Sequence, residues 1–227
     1  MCISSIFIRT LDDSISIGFN REESPFRKFE SPKFFTHKKT KIISGIDKKA
    51  GGTWFGLNEK KIFCLVTNRY EKKSSKKISR GLLLLNLLSK KTIKECLFYV
   101  QQETNSNSYD GFNLIFGNIN QVFYANNITK NIKELRKGIY YLSNNLINDK
   151  NCERIKQFKE KCKNINHENF KSEMKKNLES KELENRYIQR ISSNVLKIKK
   201  KESFWEFSNI NNEFKDWQSL DLERLFE

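Results

Sequence analysis

The chain has 227 residues and a formal net charge of +16, from 43 Lys and Arg against 27 Asp and Glu. No run approaches the ~20 apolar residues that cross a bilayer, and MCISSIFIRT lacks the basic start and long apolar stretch of a secretory signal, so a cytoplasmic protein with no membrane span is expected. The basic residues are mostly Lys, spread along an Asn-, Ile- and Phe-rich chain without zinc-finger, RNP-like or basic-zipper spacing. That charge reads as compositional, and no specific nucleic-acid partner is expected.

The elements follow in chain order. Residues 2–9 are short, apolar and β-branched and predict a strand; the alternation of SISIGF over 14–19 predicts its hairpin partner. The polar, Pro-containing stretch from Asn20 to about Lys41 reads as a long loop. GGTWFGLNEKKIFCLVTN predicts two strands around a turn at Asn58 to Lys60. Ile78 to Lys90 and Thr92 to Glu103 predict two helices, the first buried because Leu82 to Leu88 is apolar almost all round. The two apolar runs of FNLIFGNINQVFYANN flank Gly117 to Asn120 and predict a hairpin. GIYYLS over 138–143 predicts a strand. Asp149 to Leu178 carries helical signals, with Asp149 the expected cap. Residues 187–198 and 203–209 predict a closing strand pair, and the tail from Glu213 a short helix. Blocks of strands and helices in this order predict an α+β protein with packed sheets and helices outside them.

Five cysteines, with no CxxC pair, argue against a disulfide framework and fit a reducing compartment. No metal site is predicted. Cys64 and Cys96 lie in apolar runs and read as small buried hydrophobes. Cys152 and Cys162 lie in the charged helical region. Cys2 is different. Removal of Met1 would give it a free α-amine beside its thiol, with pKa values near ~8 and ~8.5. The amine can then take the thiol's proton, so neither His37 nor His167 is needed as a base.

Six segments extend this reading: FNREES after the second strand, GGTWFG, LVTN, SRG before the leucine-rich helix, YDGFNLI and GIYYLSNN. In order and spacing they resemble the NRDE family, also called the transport and Golgi organisation protein 2 family. The likeness is clearest over 1–145 and implies one domain over 1–227, with closing strands at 187–209 and a tail at 213–227. YIQRISSNVLKI is similar to a degenerate form of the family's closing Gly-Thr-Arg strand. The fold implied is the four-layer αββα sandwich of the N-terminal-nucleophile hydrolases.

The resemblance implies site roles for Cys2 as nucleophile, Glu22 where related amide hydrolases carry an Asp near the amine, Asn68 as oxyanion donor, Asn144 as a second site Asn, and Arg190 on the last strands. Asn20, Arg21 and Trp54 are candidate ligand contacts, although Trp54 reads more readily as a core or pocket-wall aromatic. Gly51 and Gly52 read as close-packed backbone. Three functions follow. The favoured one is a carrier or chaperone for a small molecule, haem or an acyl or amide compound, with no required cofactor. The second is a cysteine-nucleophile amidohydrolase or acyltransferase. The third is a basic nucleic-acid-binding module. Glu22 in place of Asp, and the degenerate last motif, favour the carrier. Oligomeric state is not legible.

Overall fold

The computed structural model describes residues 2–74, 78–180, 189–209 and 216–226. The first hairpin forms as the alternation predicts, from β1 (Ile3–Ile8) and β2 (Ile15–Glu23). The expected loop from Asn20 to Lys41 is corrected: it holds the end of β2 and all of β3 (Phe29–His37), which pairs with β4 (Thr40–Asp47). β3 is an edge strand with Pro32 at a register shift between Glu30 and Lys33. Half-exposed edges carry little alternation and tolerate proline at bulges, so the strand is concealed in the sequence.

β5 (Phe55–Asn58), β6 (Phe63–Asn68), α1 (Arg80–Leu88), α2 (Ile93–Asn105), β7 (Phe112–Gly117) and β8 (Val122–Asn126) follow the prediction. β9 (Asn131–Glu134) was not anticipated; it is a short, largely exposed edge strand. After β10 (Gly138–Leu142), the helical stretch resolves into α3 (Glu153–Lys161) and α4 (Phe170–Leu178). Asp149 does not cap α3. Cys152 holds that position, and Asp149 instead accepts from Asn151 N at 2.9 Å and Asn145 Nδ2 at 2.8 Å, which makes it turn chemistry. β11 (Gln189–Ile198) and β12 (Phe204–Asn209) are the closing pair; β13 (Gln218–Leu220) and α5 (Glu223–Phe226) complete the chain.

Two compact units result. The first comprises Met1–Phe26 and Arg136–Asp221. Its antiparallel sheet runs β10-β1-β2-β11-β12-β13, with α3 on β10 and α4 on β2 and β11. Ile3, Phe7, Tyr141 and Val195 point toward the helices and pack with Ile155, Phe158, Phe170, Met174 and Leu178. Phe7 meets Phe170 edge to face at 5.7 Å. The second unit comprises Arg27–Leu135 and Leu222–Glu227. Its sheet runs from β3 to β9 in sequence order, with α1 on β4 to β6 and α2 on β8. In α1, Leu83, Leu84, Leu85, Leu87 and Leu88 are buried, as its composition requires.

A charged cluster pins the β1–β2 turn. Asp12 Oδ2 lies 3.0 Å from Lys197 Nζ, 3.1 Å from Lys199 Nζ and 3.0 Å from His167 Nε2. Burial raises the Asp12 carboxyl, but bonds from Ser14, Lys197 and Lys199 outweigh it and bring it down to about 2. A carboxyl depressed below its unfolded value near ~3.9 contributes stability above that pH and loses it as pH falls toward the folded value. Asp12→Asn should therefore flatten the loss of stability between about pH 4 and 2, read by urea unfolding at each pH. It should also cost roughly 2 kcal/mol at neutral pH, because Lys197, 7% exposed, loses its carboxylate. The cost falls short of a fully buried pair because Asp12 keeps 20% of its surface in water.

Candidate functional site

Cys2 precedes β1, and its environment follows from strand register. Ile3 lies opposite Asn20, so Cys2 falls opposite Arg21. Arg21 lies opposite Ser192, and Ser192 opposite Asn209. Side chains alternate along a strand. Ile3, Asn20 and Ser193 therefore share the helix-covered face, and Cys2, Arg21 and Ser192 share the other. Arg21 is buried, and so is Ser192, whose Oγ has no hydrogen-bond partner among the described residues. The next row toward the strand centre, Ser4, Phe19, Asn194 and Phe207, is half apolar, and the row after it, Ile6, Ile17, Leu196 and Trp205, is wholly so. The polar end of this face is the Cys2 end.

Cys2 is partly exposed. Its thiol is nevertheless raised, first by burial of the sulfur and, less, by the Glu22 carboxylate; the positive charge of the chain's α-amino group, the backbone N–H of Glu22 and the charge of Arg21 oppose the rise. Burial thus disfavours the thiolate, while a backbone donor and a guanidinium beside the sulfur favour it.

Glu22 faces the helices. Its Oε1 receives Nη2 of Arg154, on α3, at 2.5 Å. The Glu22 side chain is 2% exposed and that of Arg154 20%. Arg154 Nη1 also reaches Ser143 Oγ at 3.5 Å, and Ser143 Oγ donates to the Cys2 carbonyl at 3.1 Å. On the same face, Asn20 Nδ2 and Arg190 Nη1 both donate to the Leu178 carbonyl at the end of α4, at 2.8 and 3.2 Å. Asn144 is buried beside Ser143, just beyond β10.

Cys2, Asn20, Arg21, Glu22, Asn144 and Arg190 thus belong to one unit, split between the two faces of its sheet. Asn68 and Trp54 belong to the other unit. Asn68 ends β6 opposite Phe112. Trp54 is a wall of its unit's core: it meets Phe29 edge to face at 5.7 Å, and a Cβ on Gly45 would come within 2.6 Å of its ring. Arg154, Ser143 and Ser192 were not singled out in the sequence. Among the described residues no group of three or more His, Cys, Asp and Glu is placed to hold a metal ion. No helix among them is long and apolar enough to cross a membrane.

Solved structures similar to this fold are named as a hydrolase, an acylase and an amidase. A variant of the conjugated bile acid hydrolase of Clostridium perfringens superposes with a TM-score of 0.63 at 13% identity, covering 99% of this chain and 94% of that one. Penicillin V acylase of Agrobacterium tumefaciens gives 0.62 at 10% identity, covering 99% and 87%. The Caenorhabditis elegans orthologue of N-acylethanolamine-hydrolyzing acid amidase gives 0.61 at 15%, covering 86% and 92%. At these identities the likeness shows the fold, the α+β sandwich of the N-terminal-nucleophile hydrolases, and not the activity. No curated protein matches the chain in sequence. The sequence model for Transport and Golgi organisation 2 matches residues 1–218, and the chain belongs to that family.

Proposed function

We propose that this protein binds a small acyl-type molecule or haem at a site centred on Cys2 and carries it without cleaving it. The observation behind this reading is the Glu22–Arg154 pair at 2.5 Å. The acid that would serve the nucleophile in a related hydrolase is committed to a guanidinium on the helix-covered face. With the thiol raised by burial, the resting centre suits holding a ligand better than attacking one. Arg21 beside Cys2 suits a ligand with an anionic or carbonyl head.

A second reading has its own support. The fold is shared over nearly the whole chain with a bile acid hydrolase and a penicillin acylase, and the Glu22 backbone N–H faces the Cys2 sulfur. In that reading Cys2 attacks an amide or thioester carbonyl.

The two readings separate in one experiment on wild type and Cys2→Ala. The carrier reading expects haemin or a long-chain acyl-coenzyme A to raise the melting temperature of wild type, with no turnover of an amide and thioester panel. A hundredfold excess over the dissociation constant stabilises by about 2.7 kcal/mol, enough to measure. Cys2→Ala should weaken the shift. Robust hydrolysis by wild type, lost in Cys2→Ala, would replace the carrier with the hydrolase.

A further inference from the structure

We infer that Arg154 is a positioning residue for Cys2: from α3 it fixes the Glu22 carboxylate on the helix-covered face and ties the N-terminal strand to that helix. This deepens the Cys2-centred reading above by naming what tunes its thiol.

The connection is continuous. Arg154 Nη2 holds Glu22 Oε1 at 2.5 Å, and Nη1 points at Ser143 Oγ at 3.5 Å, a long contact. Ser143 spends its one hydroxyl proton on the Cys2 carbonyl, at 3.1 Å. Its lone pairs are then what it presents to Arg154, so donor and acceptor roles agree along the chain. One guanidinium thereby reaches Cys2 by two routes: through Glu22 on β2, which neighbours Cys2 across the sheet, and through Ser143, which follows β10 on the opposite flank of β1.

The charged groups around this point come from three elements and from the chain's α-amino group, whose positive charge lowers the thiol. β2 supplies Glu22 and Arg21, β11 supplies Arg190 opposite Glu22, and α3 supplies Arg154. From α4 comes the Leu178 carbonyl, which Asn20 and Arg190 share. Burial is the first cause of the raised thiol and the Glu22 carboxylate adds to it; Arg154 is a cation in contact with that carboxylate. Removing Arg154 strips that negative charge of a contacting cation. Removing the Glu22 charge relieves the thiol. Removing both cancels. A purely architectural role for Arg154 predicts no such pattern.

The test is the pH dependence of Cys2 alkylation by iodoacetamide, followed by peptide mass, with free cysteine in the same solution as reference. Glu22→Gln should shift the Cys2 midpoint down and Arg154→Met should shift it up. Each shift should be roughly one pH unit, a tenfold change in thiolate at a given pH below the midpoint. Glu22→Gln/Arg154→Met should return close to wild type, and Arg154→Lys should lie nearer wild type than Arg154→Met. A Glu22→Gln midpoint equal to wild type overturns the inference. So does a double variant that keeps the full single-variant shift. These two variants carry the test even where Arg154→Met folds poorly. The readout is the thiol's own titration, so failure to bind haem or acyl compounds would sink the carrier reading and leave this inference standing.

Discussion

Arg154→Met should destabilise the folded chain by about 3–5 kcal/mol, seen as a lower urea midpoint. The reason is asymmetry of burial. Glu22 is almost fully enclosed, and without Arg154 its carboxylate keeps the cost of leaving water and loses a directly bonded cation that offsets it. Arg154 retains contact with solvent, so the converse change is milder. Glu22→Gln leaves a carbonyl that still accepts from Nη2 and should cost about 1 kcal/mol. For a chain of this size the larger loss corresponds to a fall in melting temperature of roughly 10 °C. Equal costs for the two substitutions, or an Arg154→Met loss below about 0.5 kcal/mol, would show that the pair is not buried as described.

Gly52→Ala should cost about 3 kcal/mol, at the upper end for overpacking. A Cβ there would sit 2.3 Å from the Gly81 carbonyl carbon and 2.6 Å from the Leu82 nitrogen. Both are backbone atoms at the start of α1 and cannot rotate away. The crowding is mutual, since a Cβ on Gly81 would sit 2.8 Å from Thr53 N, which itself donates to the Gly81 carbonyl at 3.1 Å. Gly51 is the control. Its φ is +66° but nothing lies within 4 Å of the added carbon, so Gly51→Ala should cost only the left-handed backbone penalty of about 1 kcal/mol. Comparable costs at the two positions, by urea unfolding, would contradict the close approach.

This pair of contacts explains why the GGTW and SRG segments were legible as motifs. Each is half of one backbone contact, and glycine at such a contact is dictated locally. Strands with apolar alternation and helices with a buried stripe were legible for the same reason. β3 and β9 were not, because an edge strand is only partly buried and its side chains are freer to vary. Asn20 and Glu22 illustrate a different limit. Asn20, Arg21 and Glu22 are consecutive, but successive strand residues face opposite sides, and Asn20 and Glu22 meet their helix-side contacts on α4 and α3. Arg154 was hidden in a Lys-rich helical stretch. Its identity carried a signal all the same: only 10 of the 43 basic residues are Arg, and Arg is the residue that suits a buried, directional carboxylate pair. Three of those ten, Arg21, Arg154 and Arg190, surround the Cys2 end of the sheet.

The Cys2-centred site is tested most directly by ligand protection of that thiol. Wild type would be alkylated with and without saturating long-chain acyl-coenzyme A or haemin, and the rates at Cys2 and Cys152 read from the same peptide digest. Cys152 is also partly exposed, whereas Cys64, Cys96 and Cys162 are buried and should label little. A ligand seated at Cys2 should slow its labelling about tenfold or more, the ratio expected when at most a tenth of the site is free, and leave Cys152 unchanged. Unchanged labelling at Cys2 under conditions where the ligand demonstrably raises the melting temperature would place the bound ligand elsewhere and contradict the account.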